Sequence, residues 1–229
     1  MPTKRIVIHI LAFLVFAAPV IAKDHVIVTG GPSLRKWEHL RVKNERHDRW
    51  WANFIRASTL RMVEIRRAYG SNASIVWMVF RPGYRTRGRD DGKPYTKWIS
   101  DLARKRNVTL VWYDSGEGLI RALNSRPRRS IITFDYFGHS NRHCFLLDYG
   151  NFIMAASTAW LHENDLGRIH RSIFDRNAYC KSWGCHTGES MSKVWSKRLH
   201  VRLEGAVGKT DYSVVGHGYM PKLIGRWSR

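Results

Sequence analysis

From His25 onward, short runs of β-branched and aromatic residues alternate with stretches whose apolar positions recur every three or four residues. His25-Val26-Ile27-Val28-Thr29 reads as a strand, and Gly30-Gly31-Pro32 turns the chain out of it. Between Asp48 and Tyr69, Trp51, Phe54, Ile55, Ser58, Met62, Ile65 and Tyr69 fall at helical spacing. Ile75–Phe80 is a second strand, and the Arg-, Gly- and Asp-rich stretch from Arg81 to Pro94 reads as a loop. Tyr95, Trp98, Ile99, Leu102 and Ala103 mark another helix, with Trp50, Trp51 and Trp98 counted as core packing. Val108–Tyr113 is a third strand, Glu117–Asn124 a short helix and Ser130–Phe137 a fourth strand.

The rhythm continues in the second half. Cys144–Tyr149 reads as a short strand after a hairpin turn at Ser140–His143, and Asp165–Phe174 as a helix with Leu166, Ile169 and Ile173 on one face. Ala178–Trp183 is a strand, Glu189–Leu199 a helix and Val201–Val207 the last strand. Strands alternating with helices imply a mostly parallel sheet with helices on both faces, an α/β three-layer sandwich. With 229 residues, one domain is expected, spanning residues 23–229.

The first stretch departs from this pattern. Lys4 and Arg5 precede an apolar run from Ile10 to Ala22, and Val20-Ile21-Ala22 has the small-residue character of a cleavage site. These features describe a secretory signal peptide over residues 1–22, removed near Ala22, so export to a secreted or periplasmic destination is expected. The run is shorter than the roughly 20 residues that span a bilayer, although a retained anchor is the alternative. No transmembrane segment is expected in the mature chain.

Composition changes the picture in two ways. A formal charge of +21 favours anionic partners, through short basic clusters at Arg41–Arg49, Arg81–Arg89 and Arg126–Arg129. The plainer reading is a generally basic protein with no polymer ligand. The cysteines Cys144, Cys180 and Cys185 are odd in number, so an oxidising compartment leaves at least one thiol free. Cys144 and Cys180 read as core residues, with a disulfide between them as an alternative. Asn72-Ala73-Ser74 and Asn107-Val108-Thr109 are formal glycosylation sequons.

Candidate chemistry gathers at the carboxyl ends of two strands, where open α/β sheets bind their ligands. One strand runs into Gly138-His139-Ser140-Asn141, the other into Gly184-Cys185-His186-Thr187-Gly188. A thiol and an imidazole at neighbouring strand tips suit nucleophilic catalysis. His186 lacks a second Cys/His pair at zinc spacing, His217 follows the last predicted strand, and Gly30-Gly31 lacks a phosphate-loop pattern. No metal or cofactor is therefore expected.

Asp135-Tyr136-Phe137-Gly138-His139-Ser140 resembles the histidine motif of caspase-like peptidases, an apolar strand ending in Ser-Gly-His-Gly or similar. Gly184-Cys185-His186-Thr187-Gly188 resembles the cysteine motif of the metacaspase branch, Asp-Ser-Cys-His-Ser-Gly. The order His before Cys matches that family, and the separation lies near the roughly 50 residues of caspases. The resemblance implies a caspase-like sheet and a cysteine endopeptidase acting on a peptide or protein substrate. Cys185 is then the nucleophile that forms a thioester acyl-enzyme, and His139 the acid–base group. The N–H groups of Ser140 and Cys185 form the oxyanion hole, and the helix predicted from Glu189 favours the thiolate. This chain departs from the family at Ser140, where glycine is usual, and at Trp183, where metacaspases carry the aspartate that selects basic residues. Asp211 is the alternative substrate-binding carboxylate. A catalytically inactive caspase-like binding module, or a basic polyanion-binding α/β protein, are the rival functions.

Overall fold

The computed structural model describes residues 23–33, 50–148 and 157–228. The predicted signal peptide, the Arg41–Arg49 cluster and Tyr149 lie outside the described residues. Seven strands form the central sheet: β1 (Asp24–Thr29), β2 (Ser74–Phe80), β3 (Thr109–Tyr113), β4 (Ile131–Phe137), β8 (Phe174–Ser182), β9 (Leu203–Asp211) and β10 (Lys222–Trp227). Their order is β10-β9-β8-β4-β1-β2-β3. All neighbours are parallel except β9 and β10. A smaller antiparallel sheet of β5 (His139–Ser140), β6 (Cys144–Leu146) and β7 (Trp160–His162) is inserted between β4 and β8.

Period-two alternation divides the apolar residues of the buried strands between two faces. Ile27, Ile75, Trp77 and Val79 face a core completed by α1 (Asn53–Tyr69), α2 (Arg81–Asp91) and α3 (Tyr95–Lys105). Val26, Val28, Val76 and Met78 face the opposite core, completed by α4 (Gly116–Asn124) and α5 (Met191–Leu199). The architecture is α/β, a sheet covered by helices on both faces. The connections from β1 run outward to β2 and β3, then return to β4 on the other side of β1. The strand order therefore reverses between β1 and β4, and a crevice at that point is where such sheets take ligands.

Four expectations are corrected. The stretch predicted as a loop is α2: Pro82 stands in its first turn, where proline's missing N–H costs nothing. Tyr84 is fully buried there and donates from its hydroxyl to Gly30 O over 2.9 Å. The helix predicted over 165–174 is instead two 3-10 turns, Glu163–Arg168 and Arg171–Ile173. Val201–Val207 is not the last strand: β9 extends to Asp211, and β10 follows it with a mostly exposed face. The predicted helix from Glu189 begins at Met191. Among the described residues, no helix is long and apolar enough to cross a membrane.

Candidate active site

Three parallel strands deliver the site. Thr29 of β1 is in register with Phe137 of β4, and Tyr136 of β4 with Ser182 of β8. The ladder continues one step past the strands, with Gly30 N–H donating to Phe137 O (2.8 Å) and Trp183 N–H to Tyr136 O (2.9 Å). Ser33, His139 and Cys185 therefore leave the sheet on one edge, on three adjoining turns. Glycine allows this crowding at position 184, where a Cβ would collide with the Ser140 side chain.

Cys185 is half-buried and its thiol is free. Thr210 N–H donates to Cys185 Sγ across 3.3 Å. Thr210 Oγ1 lies 3.5 Å from the sulfur but gives its own hydrogen to Trp183 O at 2.8 Å. In that contact the thiol is accordingly the donor. The turn after Cys185 hangs on β9 through His186 N–H to Gly208 O (2.7 Å) and Gly188 N–H to Ala206 O (2.8 Å). His186, at φ 62°, sends Nδ1 to Glu189 Oε1 at 2.6 Å, and that contact holds the Glu189 carboxyl below its usual pKa.

His139 opens β5. Its Nε2 lies 2.9 Å from Ser33 Oγ, and its ring meets the Phe54 ring edge-on with centroids 4.9 Å apart. Ser33, Trp50, Phe54 and His139 line a crevice too narrow to admit a water molecule. Among the described residues no hydrogen bond joins the imidazole to the thiol, which is turned toward β9. The link between the two turns is Ser140, whose hydroxyl donates to Cys185 O over 2.7 Å.

The backbone beside these side chains is rich in donors. Asn141 N–H pairs with Cys144 O across the β5–β6 hairpin, and antiparallel alternation makes Ser140 and Phe145 a non-hydrogen-bonded pair. Ser140 N–H consequently points away from β6. Cys185 N–H finds no acceptor among the described residues. Two N–H groups on adjoining turns can receive a developing oxyanion.

Trp183, two residues before Cys185, is buried and donates from Nε1 to Asp135 Oδ1 at 3.0 Å. Burial pushes the Asp135 carboxyl up, while Arg61, 2.9 Å away, and Trp183 pull it down. Asp211, at the end of β9, accepts from Ser213 N–H (2.7 Å) and Ser213 Oγ (2.8 Å), so this carboxylate shapes a turn. His217 sits exposed in a 3-10 turn. Among the described residues, no group of three or more His, Cys, Asp or Glu is arranged to hold a metal ion. Cys144 and Cys180 are buried free thiols, the first raised to about 11 by burial, Glu163 and Asp165.

Sequence reasoning missed Ser33, Thr210 and Phe54. Ser33 had one available signal, a hydroxyl residue just after the Gly30-Gly31-Pro32 turn that ends β1. Thr210 and Phe54 had none, because each reaches the site through tertiary packing. No protein-family model, curated protein or solved structure matches the chain, and the site stands on its own geometry.

Proposed function

We propose that the chain is an exported cysteine endopeptidase of caspase-like type, with Cys185 as nucleophile and His139 as acid–base group. The observation that carries the reading is the joining of two sequence-distant turns, through Ser140 Oγ and Cys185 O, beside the Ser140 and Cys185 N–H groups, for which no acceptor is found among the described residues. In the proposed reaction the Cys185 thiol gives its proton to His139, its sulfur attacks the scissile carbonyl, and the oxyanion rests on the Ser140 and Cys185 N–H groups. The His139 imidazolium protonates the leaving amine, and water hydrolyses the thioester. Trp183 offers no carboxylate at the position where the metacaspase motif has one, so selection of basic residues is not part of the proposal.

A second reading, a domain of this build that binds without cutting, is favoured by the orientation of the thiol toward Thr210. Polyanion binding has less support: Arg81, Arg87 and Arg126 of the basic clusters are paired with Asp114, Asp91 and Asp24. The deciding experiment is a mass-spectrometric cleavage screen on a peptide library. The wild-type chain is expected to generate new termini that Cys185→Ala does not; identical product lists from both forms would dispose of the peptidase.

A further inference from the structure

Tyr136 lies fully buried on β4, shortly before His139, and its backbone is fixed on both sides. Val28 of β1 and Ser182 of β8 are its partners in register, and its carbonyl accepts from Trp183 N–H at 2.9 Å. Its ring stacks on Phe145 of β6, with centroids 4.0 Å apart and planes at 11°. With backbone and ring both held, the place of the hydroxyl oxygen is fixed. The hydroxyl donates to His139 O at 2.7 Å, and Leu146 O lies 3.1 Å away as a second acceptor. Gly138 leaves room for it, since a Cβ there would stand 2.4 Å from the Tyr136 hydroxyl oxygen.

The carbonyl that Tyr136 holds and the Ser140 N–H are the two ends of one peptide unit. Among the described residues no peptide bond is cis, and in a planar trans unit C=O and N–H point in opposite directions. Fixing His139 O on the phenol therefore aims Ser140 N–H the other way, where no acceptor among the described residues meets it. We infer that Tyr136 is a positioning residue for the oxyanion hole, a role that rests on the peptidase reading: its hydroxyl stops the His139–Ser140 peptide from turning over. Strand β5 is only two residues long, so its pairing with β6 is a short ladder for holding that plane. An oxyanion donor is effective because it needs no reorientation at the moment the charge forms. With the hydroxyl removed, the short ladder alone holds the plane, and Ser140 N–H leaves the oxyanion position for part of the time.

The test reads this one peptide unit in the full chain. His139-Ser140 is the single His-Ser step in the sequence, so labelling histidine carbonyl carbon and serine nitrogen together gives one cross-peak in a carbonyl–amide NMR correlation. Tyr136→Phe keeps the stacked ring and is expected to move the His139 carbonyl resonance upfield, the direction for a carbonyl that has lost a hydrogen bond. The same variant is expected to lower kcat about ten- to a hundredfold with KM within about twofold, short of the roughly 10²–10³ for deleting an oxyanion donor outright. Gly138→Ala displaces the hydroxyl without removing it and is expected to move both readouts the same way, which keeps the test open should Tyr136→Phe not fold. A cross-peak that stays in place overturns the inference. So does a moved cross-peak with kcat unchanged, or a rise in KM as large as the fall in kcat, which assigns a packing role. The cross-peak needs no turnover, so the hydrogen bond is judged even where the peptide screen is empty. A wild-type chain that cleaves nothing sinks the peptidase reading and the oxyanion role with it.

Discussion

Ser140 donates its hydroxyl to the carbonyl of Cys185 over 2.7 Å, and the same side chain fills the space beside Gly184. One serine thus sets both the distance between the two candidate catalytic turns and the size limit at the residue before the thiol. Gly184→Ala is expected to destabilise the fold by about 1–3 kcal/mol, the range for overpacking a tight site. Adding Ser140→Gly relieves the collision, so the double variant is expected to be more stable than Gly184→Ala alone. Thermal unfolding of the four forms of the cycle measures this, and strict additivity would show that the two residues do not meet.

The three thiols differ in surroundings. Cys185 is half-buried at the sheet edge, whereas Cys144 and Cys180 are buried and burial pushes both of their pKa values up. Iodoacetamide at neutral pH is expected to modify Cys185 at least tenfold faster than either of the others, since the thiolate is the reacting form. Peptide mapping by mass spectrometry checks the order. Thr210→Val removes the nearer acceptor of the thiol hydrogen, leaving the main-chain carbonyl at 3.8 Å, and is expected to speed alkylation, with a stability loss of about 1 kcal/mol for the donor that Trp183 O loses.

Asp135 is fully buried between Arg61 and Trp183 Nε1. Removing the carboxylate leaves the partly buried Arg61 guanidinium with Glu64 as its remaining partner and the Trp183 indole N–H unpaired. Asp135→Ala is expected to cost about 3–5 kcal/mol in denaturant unfolding. Pairing it with Arg61→Met is expected to recover part of that loss, because no uncompensated charge remains inside.

His25 is 2 % exposed, shares a hydrogen bond with Thr133 Oγ1 and packs at a tilt against the Tyr69 ring with centroids 4.4 Å apart. Burial lowers its pKa to about 4, helped by Arg61 and opposed by Asp24. Between that value and the unfolded 6.5 the unfolded chain binds a proton that the native one does not, so stability falls as pH falls through this window. The loss is about 1.4 kcal/mol per pH unit and roughly 3 kcal/mol in all. Unfolding curves from pH 7 to 4 are expected to flatten in His25→Gln by that amount; an unchanged slope would assign the acid sensitivity to other groups.

How much of this was legible in the chain depended on which force set each element. The buried parallel strands announced themselves, because Val26–Thr29, Ile75–Phe80 and Ile131–Phe137 are apolar or β-branched almost throughout. The two motif turns were visible because a glycine immediately precedes a reactive side chain in each. Helix α2 was hidden: Arg81–Asp91 has no apolar stripe, and its place is fixed by Tyr84 and Arg87 reaching the β1 turn. Strand β10 was hidden for the opposite reason, since its residues are mostly exposed and its register comes from backbone pairing with β9. The partners of the candidate pair, Ser33 and Thr210, lie far from His139 and Cys185 along the chain, and folding alone makes them neighbours.

The turn that carries Cys185 is fastened to β9 in part by main-chain bonds, from His186 to Gly208 and from Gly188 to Ala206. Main-chain fastening is indifferent to most side-chain replacement. The surface around the sulfur is therefore evolvable: residues facing a ligand can be exchanged while the height of the thiol above the sheet stays constant. Laboratory selection for altered recognition has its least forgiving positions at the glycines that bring the backbones together.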